Sequence, residues 1–147
     1  MAFSRIVLDA SIAVEWFLPG NSGASTYAAD VLRAIESRDL LPMVPDLWHY
    51  EVGSVLMAAK RRRLIGARRL NEAARQLAEL RPFTINPRLT ESEVIAKAGE
   101  FHLQGYDAVY FDLAKRLHVP IAAIDGGIRT ACRVHGVELW KPEPHAN

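Results

Sequence analysis

The chain has 147 residues, half of them apolar and 24% charged, which suits one globular domain with a sizeable core and leaves no need for disulfides or structural metal. Its formal net charge of +1 excludes a uniformly basic nucleic-acid binder, so any attraction to phosphates must come from a local cluster. A single cysteine, Cys132, excludes an internal disulfide, and His49, His102, His118, His135 and His145 stand too far apart for structural-zinc spacing. These features point to a reducing, cytoplasmic setting.

The N-terminal stretch reaches Asp9 too soon to hold a signal-peptide apolar region, and no run is long enough to span a bilayer. Ile6-Val7-Leu8 is continuously apolar, as expected of a strand covered on both faces of a parallel sheet, and it ends in Asp9. Trp16, Phe17 and Leu18 follow as an aromatic and apolar cluster, read as core or as the lining of a groove. Ala28, Val31, Leu32 and Ile35 have helical spacing, which predicts a helix over about Ser25 to Arg38. Leu41-Pro42-Met43-Val44-Pro45 reads as a second, short strand bounded by prolines. Asp46 is placed to cap a long helix whose stripe is Leu47, Tyr50, Val55 and Ala58, with Glu51 in its second turn and Trp48 and Tyr50 as core or groove wall.

Gly66 divides that helix from another over Ala67 to Leu80, forming an αα-hairpin that ends at Pro82. Phe83 to Ile85 reads as a third strand, and Thr90 to Glu93 as a capping box for a helix running to about His102. Asp107 is positioned to cap the next helix, and Pro120 to Ile124 forms an apolar strand ending in Asp125. Gly126-Gly127 opens the last helix, Val137 to Trp140 suits an edge strand, and the tail from Lys141 to Asn147 is too polar and proline-rich for regular structure. Strands alternating with helices imply an α/β fold with right-handed crossovers, whose ligands bind beyond the carboxyl ends of the strands.

Asp9 and Asp125 both stand at such ends, where an ionised carboxylate after an apolar strand is unfavourable unless compensated. Taken singly, Asp107 and Asp125 have structural readings as cap or turn residues, Glu51 as a solvated helix residue, and Asp9 as an Asx-turn into Ser11. Brought together, the four would repel one another unless cations neutralise them, and hard oxygen ligands suit Mg²⁺ or Mn²⁺. Such a site supports phosphodiester hydrolysis. Lys60 to Arg63 with Arg68, Arg69 and Arg75 concentrate positive charge on the hairpin, either as solvated helix ends or as a phosphate grip, to which Lys115 and Arg116 add. Asp112 lies five residues beyond Asp107, points away from it, and reads as a surface or ion-pair residue.

On the segments VLDASIAVEWF with Asp9, LWHYEVGSVL with Glu51, and GYDAVYFDLAKRLHVPIAAID with Asp107 and Asp125, the chain resembles the PIN-domain family, and more closely its VapC-type ribonuclease toxins. The resemblance spans nearly the full length. It implies one PIN-like domain over residues 1–147, a three-layer α/β/α sandwich around a mostly parallel sheet of four to five strands. It further implies an endoribonuclease with Asp9, Glu51, Asp107 and Asp125 as catalytic and metal-binding residues around Mg²⁺ or Mn²⁺. Ser11 would support Asp9, and Arg61, Arg62, Arg63 and Arg68 are candidate RNA contacts. The implied partners are RNA, a cognate antitoxin and a second copy in a homodimer. Where the family commonly has Thr or Ser two residues before its last Asp, this chain has Ala123. The alternatives are a catalytically weak PIN-fold module binding RNA or protein, and an aspartyl-phosphate enzyme of haloacid-dehalogenase type, against which Asp9-Ala10-Ser11 lacks the second Asp of Asp-x-Asp.

Overall fold

The computed structural model describes residues 4–20 and 22–144. Its centre is a four-stranded, all-parallel sheet in the order β3-β2-β1-β4, built from β1 (Ser4–Leu8), β2 (Leu40–Pro45), β3 (Phe83–Ile85) and β4 (Ile121–Ala122). β1 is central, with Val7 opposite Met43 on one side and Ile121 on the other, and Ile6, Val7 and Leu8 are completely buried. That is why its apolarity is continuous rather than alternating.

Among the described residues, seven helices complete an α/β/α sandwich: α1 (Ala10–Phe17), α2 (Ser22–Glu36), α3 (Leu47–Arg61), α4 (Ala67–Leu80), α5 (Glu91–Phe101), α6 (Asp107–Leu117) and α7 (Gly126–His135). α1 packs against α2 and α3, whereas α5 pairs with α6, which lies on β1 and β2. α7 joins the latter pair through edge-on contacts of His135 with Phe101 and Phe111. Among the described residues no helix is long and apolar enough to cross a membrane.

Several boundaries differ from the sequence expectation for identifiable reasons. α1 is an additional helix, capped by Asp9, whose side chain accepts from the Ser11 N–H. α3 buries Trp48, Val52, Leu56 and Ala59, a stripe offset from the expected one, leaving Tyr50 74% exposed and Val55 outside the core. Both stripes have helical period, and the larger apolar surface of Trp48 and Leu56 decides which face turns inward. Trp48 is thus core and groove wall, as expected; Tyr50 is neither.

β4 is shorter than Pro120 to Ile124, because side chains take the next backbone groups: Arg129 Nε donates to the Ala123 carbonyl (3.0 Å) and the Ile124 N–H donates to Ser11 Oγ (3.4 Å). Val137 to Trp140 contributes one parallel bridge, Leu139 to Ile121, rather than a strand. Residues 141–144 carry no regular structure, and residues 145–147, including His145, lie outside the described residues.

Candidate functional site

Asp9 follows the last residue of central β1, its N–H donates to the Ala122 carbonyl of neighbouring β4 (3.0 Å), and only 4% of the residue is exposed. Ser11, in the first turn of α1, gives its N–H (3.2 Å) and its hydroxyl to Asp9 Oδ2. Ser11 thus holds Asp9 by two hydrogen bonds, and through Ile124 the same hydroxyl ties α1 to the segment leading to Asp125.

Glu51 reaches the same edge from α3, which starts just beyond the end of β2, and is partly buried. Its Oε1 accepts from the hydroxyl of Tyr110 at 2.8 Å. Asp107 is the first residue of α6; contrary to the expectation it does not cap that helix, since Tyr106 holds the cap position without a side-chain bond. Its carboxylate is thereby free of capping duty. Asp125 does cap its helix, α7, with Oδ1 accepting from the Ile128 N–H at 3.0 Å. A side chain at Gly127 would place its Cβ 3.0 Å from that Oδ1, close enough that the Asp125 carboxylate would have to give by a few tenths of an ångström.

The four carboxylates act on one another. Burial pushes Asp9 up to about 6 from 3.8; its Ser11 hydrogen bonds oppose the rise, and the charges of Glu51 and Asp125 add to it. Asp107 is likewise pushed up to about 6, by burial first and then by the charges of Asp9 and Asp125. Burial also raises Glu51, the Tyr110 hydrogen bond opposing and the Asp107 charge reinforcing. Four segments distant in sequence thus place acidic groups within electrostatic reach at the carboxyl edge of the sheet.

Among the described residues, no three His, Cys, Asp or Glu side chains form a ready-made cage for one ion. The donor set nevertheless fits Mg²⁺ or Mn²⁺, because such ions keep several waters and take one or two protein carboxylates directly. Ala123 removes a hydroxyl from this edge, and its backbone carbonyl is held instead by Arg129, whose guanidinium lies 4.8 Å from the Tyr27 ring centroid.

The other charged candidates separate from this site. Asp112 is an ion-pair residue, as expected, but not a surface one: it is 1% exposed, with Arg116 Nε at 2.8 Å and Lys97 Nζ at 3.6 Å. Arg61 ends α3 ten residues from Glu51, or about 15 Å of helix rise, and Arg62 and Arg63 follow it; all three are exposed. Arg68 and Arg69 pair with Glu72 at 3.7 and 3.8 Å, and Arg69 also lies over Phe17. Phe17 is buried and the Trp16 indole N–H donates to the Ala28 carbonyl (2.8 Å), so this cluster packs α1 onto α2. An apolar groove of about 510 Å³ lies between α3 and α4, walled by Trp48, Val52, Leu56, Leu70 and Leu77. Sequence reasoning passed over Tyr110, for which the i, i+3 spacing with Asp107 on one helix was the available signal.

No family model matches the chain. No curated protein matches it. Among solved structures, the crystal structure of PAE2754 from Pyrobaculum aerophilum is similar, with a TM-score of 0.63 and 22% identity over 87% of this chain and 79% of that one. At that identity the likeness supports the α/β/α fold and nothing finer.

Proposed function

We propose that this chain is a Mg²⁺- or Mn²⁺-dependent endoribonuclease of the PIN type, acting as the toxin of a toxin-antitoxin pair. The observation that carries the proposal is the convergence of Asp9, Glu51, Asp107 and Asp125 at the carboxyl edge of a parallel sheet, where burial and mutual repulsion hold Asp9 and Asp107 near 6. A fold gains no stability from such a group of like charges. A site for a divalent cation accounts for it.

Asp9, Glu51, Asp107 and Asp125 would hold the ion. When bound, it supplies charge to offset the phosphate and to make a water nucleophilic. Asp9 is the most buried of the four and is clamped by Ser11; Glu51 accepts a hydrogen bond from Tyr110; Asp125 lies on the exposed rim. The exposed Arg61, Arg62 and Arg63, with Arg68, contact phosphates away from the cleavage point and set affinity without reading sequence. A cognate antitoxin and a second copy of the chain are the protein partners in this proposal.

Purified full-length protein, freed of any bound partner, is incubated with total cellular RNA and Mg²⁺ or Mn²⁺, beside EDTA and Asp9→Asn controls. Discrete products that vanish in both controls are expected. Absence of cleavage by folded, metal-loaded protein would instead favour the second reading, a binding module that keeps the fold without cutting. One observation favours that alternative: Asp125 is occupied as a helix cap.

A further inference from the structure

We propose that Tyr110 is a positioning residue that fixes the Glu51 carboxylate for metal binding, so that α6 sets the placement of two of the four acidic groups. This rests on the reading of the carboxylates as a divalent-cation site. Tyr110 is completely buried, and a buried phenol needs an acceptor for its hydroxyl. It finds one 59 residues away in the chain, Glu51 Oε1 at 2.8 Å.

The geometry gives this bond a purpose beyond satisfying a donor. Tyr110 and Asp107 stand three residues apart on α6, hence on neighbouring positions of one helical face. Asp107 is carried directly by that helix, and Glu51 is held to it through the Tyr110 hydroxyl. Glu51 is partly exposed on α3, where a free side chain with three rotatable bonds would sample several rotamers. A carboxylate offers about four lone-pair directions, so accepting one bond at Oε1 leaves capacity for a cation. The phenol thus orders Glu51 before any ion arrives, as outer hydrogen-bond partners of metal-ligating groups do.

The test is calorimetric titration of the full-length protein with Mn²⁺ alone, using wild type, Tyr110→Phe, Glu51→Gln and the double variant, each checked for folding by circular dichroism. Tyr110→Phe keeps the buried ring and should weaken Mn²⁺ binding by about 10–100-fold. The double variant should bind no more weakly than Glu51→Gln, because both changes act through one carboxylate. Wild-type affinity in Tyr110→Phe, or a loss that adds fully to that of Glu51→Gln, overturns the proposal. A crystal structure of metal-free Tyr110→Phe is expected to show Glu51 turned away from α6; an unmoved Glu51 overturns the positioning role whatever the metal result. Wild-type protein that binds no Mn²⁺ overturns the metal reading itself.

Discussion

Ser11 places two donors on one oxygen of Asp9, its N–H at 3.2 Å and its hydroxyl, while its hydroxyl oxygen accepts from the Ile124 N–H at 3.4 Å. One small side chain therefore links the end of β1 to the segment that carries Asp125. Replacing Ser11 with Ala leaves a buried carboxylate short of a donor and a backbone N–H short of an acceptor. The expected cost is about 1–3 kcal/mol in urea unfolding. If Asp9 holds the proposed metal, cleavage should fall by about 10–100-fold.

The raised carboxyls fix the sign of a pH dependence. Asp9 and Asp107 titrate near 6 in the folded chain against 3.8 as ordinary groups, so between these values the folded state binds more protons than the unfolded state. Their contribution to stability is fully present below the ordinary value and is lost as pH rises through about 6. Thermal melts in EDTA should show this fall, and an Asp9→Asn/Asp107→Asn variant should flatten it. Saturating Mn²⁺ at neutral pH should restore stability, by about 2.7 kcal/mol at a hundredfold excess over its dissociation constant. Cleavage should run the opposite way, rising through about pH 6 as the ligands lose their protons.

Asp9→Asn separates function from stability. The amide oxygen can still accept from Ser11, but no charge is buried. Cleavage should be lost, while metal-free protein above pH 6 should gain up to about 3 kcal/mol, the cost of ionising a carboxyl raised from 3.8 to about 6. A variant that is both inactive and less stable than wild type would contradict this account.

Asp125 combines a cap with a proposed ligand, and two substitutions pull these apart. Asp125→Asn retains the bond to the Ile128 N–H and should leave the melting temperature nearly unchanged; Asp125→Ala should cost about 0.5–2 kcal/mol. If the carboxylate binds metal, both lose Mn²⁺ affinity. If Asp125 is only a cap, Asn binds Mn²⁺ as wild type does.

The hairpin arginines should act on binding alone. Replacing Arg61, Arg62 and Arg63 by Ala is expected to raise KM for RNA with kcat unchanged. The slope of log affinity against log salt should shrink by about 2, at about 0.7 for each single-strand phosphate that is no longer neutralised. Arg68→Ala should do less, because Glu72 already lies 3.7 Å away.

Much of this was legible in the chain. Ile6-Val7-Leu8 before Asp9, the αα-hairpin broken at Gly66, and the Thr90 cap of α5 are local patterns, decided within a few residues by burial, backbone conformation and capping. So were Asp9 and Asp125 as unusual positions, because a carboxylate following an apolar strand is costly wherever that strand lies, whereas Glu51 and Asp107, both on helices, carried no such local signal. What tertiary structure decided is what depends on partners distant in sequence. Which stripe of α3 turns inward follows from the space available to Trp48, and the end of β4 from Ser11 and Arg129 taking its backbone groups. Tyr110 meets Glu51 across 59 residues, a contact no periodicity encodes. The acidic residue types were written locally; their proximity, and with it the raised proton affinity of Asp9, Glu51 and Asp107, came only from packing separate segments onto one edge of the sheet.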